Sequence, residues 1–256
     1  MSPRKTHLTL PSLEALPWHS GIRIVAHNQN YLGITKPIGV LSHPNQPDDP
    51  LEAGRSLLAS DWDPQSEAFA INDRDALYLC HRIDAPTSGS LLLATNEAAA
   101  RFARDAFAKG LVSKTYHAIV RGTIHLQETQ WRDRLARRPT GKTLRMQVLR
   151  EGVTAVTRVK SLRSTRRPQP LTLLEFQPLT GRTHQLRIQS TERGYPILGD
   201  KTYGDFAFNR NYLRLTSGED RLHLHATCLR LTQADGKEFE VLSPLPQNWP
   251  LTIDFP

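Results

Sequence analysis

The chain has 256 residues, 38% hydrophobic and 23% charged, the composition of a globular protein with a sizeable core. It has no apolar run near the ~18 residues that a transmembrane helix needs. The start, MSPRKTHLTLPSLEALPWHSG, lacks a secretory apolar stretch, and Cys80 and Cys228 make no disulfide framework, so a cytoplasmic protein with no membrane partner is expected. The net charge of +8 favours a polyanionic partner, nucleic acid before others.

Along the chain, residues 1–20 are polar with scattered prolines and read as an extended N-terminal arm, with 21–256 as one domain. RIVAHNQNYLGITKPIGVLSH (23–43) alternates around Asn28-Gln29-Asn30 and predicts a hairpin. PNQPDDPLEA (44–53) is a Pro- and Asp-rich loop, and ALYLC (76–80) and SLLLAT (90–95) have strand length. NEAAARFARDAFAKG predicts a helix capped by Asn96 or Thr95, with Glu97 in its first turn and Gly110 closing it in a left-handed conformation. Its period places Ala99, Phe102, Ala103, Ala106 and Phe107 inside, and Arg101, Arg104 and Lys109 outside.

KTYHAIVRG (114–122) returns to strand, while 131–151 and 161–168 read as basic loops or edge segments beside strands at 153–160 and 171–177. LTGRTHQLRIQSTERG turns into a short helix ending at Gly194, and LHATCLRLTQADGKEFEVL makes a hairpin on Asp235-Gly236. Strands outnumber helices, which indicates the α+β class with a large mixed sheet.

Four stretches bear chemistry. In HRIDAPTSGSLLLA (81–94) an aspartate stands between apolar runs, where a carboxylate has to be paired or solvated. Asp84 is therefore the polar lip of a turn or a reactive group at the edge of a cleft. In LTGRTHQLR (179–187) a glycine turn opens a helix and can offer backbone N–H groups to a phosphate, with Arg187 sharing a face with Thr183 and His184. The plainer reading is a helix start with solvated arginines. Tyr116 lies in a strand and is core or rim. His223, His225 and Cys228 invite a zinc reading, but no second cluster has ligand spacing and strand alternation accounts for the pair, so no metal is expected. There is no P-loop, dinucleotide fingerprint or nucleophile elbow.

Taken in order, ITKPIGVLSHP (34–44), HRIDAPTSGSLLLAT (81–95), KTYHAIVRG (114–122), LTGRTHQLRIQ (179–189), GYPILGDKTYG (194–204) and RLHLHATCLRL (221–231) with SPLP (243–246) resemble the successive motifs of the RluA-type pseudouridine synthases. The resemblance implies the pseudouridine-synthase fold: a large mixed, mostly antiparallel bent sheet with flanking helices and a central cleft. It implies conversion of a uridine in structured RNA, a transfer or ribosomal stem-loop, to pseudouridine, without metal or organic cofactor. Residue by residue, Asp84 matches the catalytic aspartate, and Tyr116 the tyrosine that packs on the target base and is proposed to move a proton. Arg187 matches the basic residue that pairs with the aspartate, Arg82 an arginine that fills the gap left by a flipped base, and Leu224 an apolar wall of the base pocket. Thr87, Arg182, His184, Arg137 and Arg138 are the further candidates for RNA contact. Ile83, Ser90 and Gln189 stand where Leu, Leu and His are common, and none is a reacting group.

These residue types suit that reaction. Breaking the bond between uracil N1 and the ribose leaves positive character on the sugar, which a fixed carboxylate can stabilise or attack. A nearby arginine favours the ionised carboxylate. The detached base is held by stacking, worth roughly 1–3 kcal/mol per base, and flipping it out of a helix costs a few kcal/mol that basic backbone contacts offset. About 20 residues precede the matched region, too few for a separate RNA-binding domain, so the catalytic domain and its basic insertions are expected to read the RNA. A monomer with no obligatory protein partner is expected. The alternative is a non-catalytic RNA-binding or folding protein on the same scaffold. A carboxylate glycosidase would want a second acidic motif, and none stands out.

Overall fold

The computed structural model describes residues 8–45, 55–138, 145–216 and 218–250. The Pro- and Asp-rich loop from residue 46 and residues 139–144 of the basic stretch lie outside them, as does the side chain of Arg138. The chain forms two compact units. One runs up to Val112 and takes in Cys228–Ser243, and the other holds Ser113–Thr227 and the residues from Pro244.

In the first unit the arm contains a short helix, α1 (Leu10–Glu14), where an extended segment was expected. Pro11 presets its first turn, Thr9 N–H donates to Ser12 Oγ at 2.9 Å, and Trp18 Nε1 donates to the carbonyl of the buried Leu13 at 2.7 Å. β1 (Arg23–His27) and β2 (Tyr31–Lys36) form the predicted hairpin, its turn closed by Asn28 Oδ1 accepting from the N–H groups of Asn30 and Tyr31. β3 (Trp62–Asp63), β4 (Ala68–Ala70) and β5 (Ala76–Leu79) lead in antiparallel order to β6 (Ser88–Ala94). β6 also pairs with β2, from Tyr31↔Ala94 to Lys36↔Gly89. Every position of β6 is buried, which explains why its sequence is a continuous apolar run instead of an alternation.

The predicted helix is α2 (Glu97–Ala108), with Asn96 Oδ1 accepting from Ala99 N–H and Gly110 at φ +71°. Its inward face is alanine: Ala99, Ala100, Ala103 and Ala106. Small residues let the helix sit close to its neighbours, so Phe102 is left exposed on the flank, contrary to expectation. Arg104 in turn is drawn in, donating to the carbonyls of Leu79 (2.9 Å) and Ser66 (2.8 Å).

The second unit is built on β7 (Ser113–Arg121), β8 (Thr129–Arg138), β9 (Arg145–Val148), β10 (Val153–Thr165) and β11 (Leu171–Pro178). Their order is β7-β11-β10-β8-β9, antiparallel throughout. Two basic stretches expected as loops or edges are therefore largely strand. β10 continues through 161–165 against β11, and β8 lies between β10 and β9. Trp131 and Leu135 point inward between outward arginines, and the arginine-rich surface positions mask a period that only two apolar residues carry.

α3 (Gln185–Glu192) covers the sheet face that carries Tyr116, Ala118, Leu174 and Phe176, with Leu186 packed among them and Ile188 against Leu135 and Ala155. α4 (Phe206–Leu215), capped by Asp205, contributes Tyr212 to a second cluster with Ile119, Leu171, Leu173 and Trp249. β12 (Leu224–Thr232) starts in the second unit and ends in the first, where it pairs with β13 (Glu238–Leu242) through the predicted Asp235-Gly236 turn. The α+β expectation holds. Among the described residues no helix is long and apolar enough to cross a membrane.

Alternation explains the histidine pair. His223 and His225, both buried, flank the Trp249 ring at centroid distances of 5.2 and 5.9 Å, while Leu222 and Leu224 enter the cluster on the other side. Burial pushes the His223 pKa down from 6.5 to about 4. Protons therefore bind the unfolded chain first between about pH 6.5 and 4, and stability falls as the pH drops through that window. Acid unfolding of His223→Gln is expected to lose roughly 2 kcal/mol of this pH dependence, read from urea midpoints at pH 7 and pH 4.5.

Candidate active site

Asp84 lies in the irregular segment between β5 and β6, in a tight turn whose Thr87 N–H donates to Asp84 O at 2.9 Å. The residues on both sides of it are clamped. Ser42 Oγ donates to Ile83 O (3.0 Å) and accepts from Ile83 N–H (3.3 Å). Ala85 O accepts from Gly39 N–H at 2.7 Å and from Lys36 Nζ at 3.1 Å. Lys36 is fully buried, and its ammonium also reaches Pro37 O (3.0 Å) and Val40 O (2.8 Å). A charge so placed is tolerable because each of its three protons meets a carbonyl. The KPIGV segment and the aspartate turn are thus held by one amine.

Lys36→Met takes this donor from Pro37 O and Val40 O, while Ala85 O keeps Gly39 N–H, at about 1–3 kcal/mol for each carbonyl left buried and unpaired. A loss of roughly 2–4 kcal/mol in stability is expected from chemical denaturation, since removing the buried charge recovers part of the cost. Stability equal to wild type would show that Lys36 does not hold the turn.

The neighbouring candidates differ in exposure. Thr87 is buried at the end of the turn, and Arg82 is exposed with Nη1 3.3 Å from His43 Nε2, whose ring stacks on Trp62. His81 accepts from Leu92 N–H through Nε2 and stacks on Phe107, so it anchors the turn to β6 and α2.

In the second unit, Tyr116 and the buried Leu224 pack in one apolar cluster with Leu186. Lys114, two residues before Tyr116 on the same face of β7, is half-buried, and burial lowers its pKa to about 8. Its Nζ lies 3.8 Å from where a side chain on Gly181 would begin. The turn before α3 is closed from within: Gln185 Oε1 accepts from Arg182 N–H (3.0 Å) and from Thr180 Oγ1 (2.7 Å). One of the N–H groups expected to face a phosphate is therefore already taken. Arg182 itself is exposed, with Nε donating to Thr154 O at 3.2 Å.

His184 begins α3 at φ +55°, a left-handed conformation that costs a non-glycine residue roughly 1–2 kcal/mol. Its Nδ1 lies 2.8 Å from the Tyr203 hydroxyl, which fixes the ring. Arg187, 4% exposed, forms a bidentate pair with Asp200 through Nε and Nη2, both at 2.8 Å. Asp200 Oδ1 also accepts from the N–H groups of Thr202 (2.8 Å) and Tyr203 (3.0 Å). Burial opposes ionisation of Asp200, but the hydrogen bonds and charge of Arg187 outweigh it and hold the carboxyl below the usual range. Gly199, at φ +74°, makes this possible: a Cβ there would fall 1.7 Å from Arg221 O. Arg137 is exposed on β8 opposite Met146, and Arg138 stands opposite Arg145 in the register.

Residues 30–192 match the RNA pseudouridylate synthase family. The chain belongs to that family. Its relatives include a tRNA pseudouridine synthase C from Vibrio cholerae, 33% identical, covering 82% of this chain and 84% of the relative. The tRNA pseudouridine synthase C of Pectobacterium carotovorum is 31% identical over 82% of this chain and 55% of the relative. The ribosomal large subunit pseudouridine synthase C of Escherichia coli K12 is 33% identical over 67% and 54%. The chain thus spans about half the length of several curated relatives it matches. Among solved structures, human RNA pseudouridylate synthase domain containing 1 superposes with a TM-score of 0.66 at 27% identity, over 87% of this chain and 83% of that one.

Within the family pattern, the departures at Ile83, Ser90 and Gln189 are accommodated locally. Ser90 Oγ donates to Val241 O at 3.0 Å. Gln189, fully buried, bonds Thr157 Oγ1 (2.6 Å) and Asp133 Oδ2 (2.8 Å). Sequence reasoning assigned no role to Lys36, Ser42, Asp200 or Tyr203. The signal for the first was a lysine ending the apolar strand YLGIT, and for the last two a short GDKTY segment whose acidic group had no visible partner.

Proposed function

We propose that this protein is an RNA pseudouridine synthase, an isomerase that detaches a uracil in structured RNA and rejoins it to the ribose through carbon 5. The observation that carries the reading is the aspartate turn: Asp84 is the residue between two backbone positions clamped by Ser42, Gly39 and Lys36, within the region that matches the family. A carboxylate held this way is preorganised for a sugar that develops positive charge, either as stabiliser or as nucleophile. Arg187, matched by resemblance to the basic residue that pairs with the aspartate, is its proposed cationic counterpart, and within the second unit Asp200 fixes the guanidinium.

Tyr116, backed by Leu224 and Leu186, takes the face of the base, and its hydroxyl is the group for moving a proton. Arg82 fills the space that the flipped base leaves. Lys114 adds a cation whose burial is compensated once an RNA phosphate arrives. Residues 21–256 act as one catalytic domain behind the arm, without metal or organic cofactor, in the cytoplasm and as a monomer. The names of the relatives point to transfer or ribosomal RNA as substrate.

The test is release of tritium from bulk transfer and ribosomal RNA labelled at uracil carbon 5. Release into solvent, with pseudouridine in the digested RNA, is the expected result. RNA binding without release from either pool would sink the reading and leave the non-catalytic scaffold. A second expectation concerns the β8–β9 arginines. Charge reversal at Arg137 and Arg138 should weaken RNA binding and lower the slope of log affinity against log salt by about 1–2. An unchanged slope would place the RNA elsewhere.

A further inference from the structure

Tyr203 stands where three parts of the second unit meet. Its hydroxyl accepts from Met146 N–H on β9 at 2.9 Å and bonds His184 Nδ1 at the start of α3 at 2.8 Å. The Arg187 guanidinium lies over its ring, 5.2 Å from the centroid, and the Arg145 guanidinium lies 5.9 Å away. Its N–H donates to Asp200 Oδ1, its carbonyl accepts from Thr191 Oγ1 (2.9 Å), and Arg145 Nη2 donates to Thr202 O (2.6 Å).

β9 is only four residues long and pairs with β8. A strand that short holds weakly by its ladder alone, so what it docks on decides where it sits. Here it docks on the ring that covers the arginine. A cation over an aromatic face is attracted by the ring, which fixes the plane of the guanidinium. One side chain therefore ties the arginine-bearing hairpin to the arginine assigned to the site.

We propose that Tyr203 is a positioning residue through which RNA seated on the β8–β9 hairpin sets the orientation of Arg187. This rests on the synthase reading, so the experiment has one arm that needs no RNA. Tyr203→Phe keeps the ring and removes both hydroxyl bonds, while Tyr203→Leu removes the ring as well. Without RNA, amide exchange at Met146 should quicken about tenfold in Tyr203→Phe, with the circular dichroism unchanged. With the tritium-labelled RNA pools, Tyr203→Phe should raise the apparent KM about fivefold and leave kcat within about twofold. Tyr203→Leu should lower kcat about tenfold further, because the guanidinium loses its platform.

Unchanged exchange at Met146 would overturn the tether. Equal kcat in the two variants would overturn the link to Arg187, as would wild-type KM in Tyr203→Phe, which folds even if the leucine variant does not. If the wild type releases no tritium, the synthase reading fails, and the exchange result still decides the tether.

Discussion

Asp84→Asn is expected to reduce tritium release by roughly a thousandfold or more, the scale of losing the reacting group. Binding of the same RNA should survive within about threefold, since phosphate contacts carry most of the affinity. The substitution is close to isosteric. The clamps on Ile83 and Ala85 use backbone atoms, Ser42, Gly39 and Lys36, so the turn keeps its shape when the carboxylate becomes an amide. A loss of turnover with unchanged melting and binding would thus locate the chemistry at one oxygen. Turnover near wild type would remove Asp84 from the mechanism and leave the clamped turn without a catalytic purpose.

The second large effect is structural before it is catalytic. Asp200→Ala leaves the buried Arg187 guanidinium without its bidentate partner, at a cost of about 3–5 kcal/mol. For a chain of this size the melting temperature should drop by roughly 10 °C or more. Activity falls with it, but that alone would not separate scaffold from site. The double variant Arg187→Met with Asp200→Leu does so. Replacing a whole buried pair by apolar groups avoids the unpaired charge, although the Thr202 and Tyr203 N–H groups lose their acceptor, so this protein should melt above Asp200→Ala while releasing no tritium. Recovered activity in the double variant would show that Arg187 is a structural arginine only.

Much of the fold was legible because local rules and tertiary context agreed. Asn96 and Gly110 mark the two ends of α2, Asn28 marks one hairpin and Gly236 another. The misreadings came where long polar side chains hide the period. β8 shows two buried apolar residues among its arginines, and an exposed arginine says little about whether its backbone is in a ladder. Phe102 was placed inside because hydrophobicity outranks size in a periodic reading, whereas the packing of α2 is decided by how closely four alanines can approach.

The candidate site was legible as motif and not as mechanism. Asp84, Tyr116 and Arg187 could be named from the resemblance. What holds them is a set of contacts between residues far apart in the chain, such as Lys36 with Ala85 or Arg187 with Asp200. No window of sequence displays the other half of such a pair.

The path of the chain through β12 has a consequence for biosynthesis. The apolar cluster of the first unit contains Tyr31 and Leu92, and it also contains Leu229, Leu231, Phe239 and Val241. Thr35 meets Ser243 across 208 residues, and Ser90 meets Val241 across 151. Loop-closure entropy makes such contacts slow to form. A ribosome therefore delivers Tyr31 and Leu92 early but cannot supply the strands that complete their cluster until residues 113–227 have emerged. The unit begun first is completed only after most of the second, and in the interval its apolar strands depend on whatever shields nascent chains.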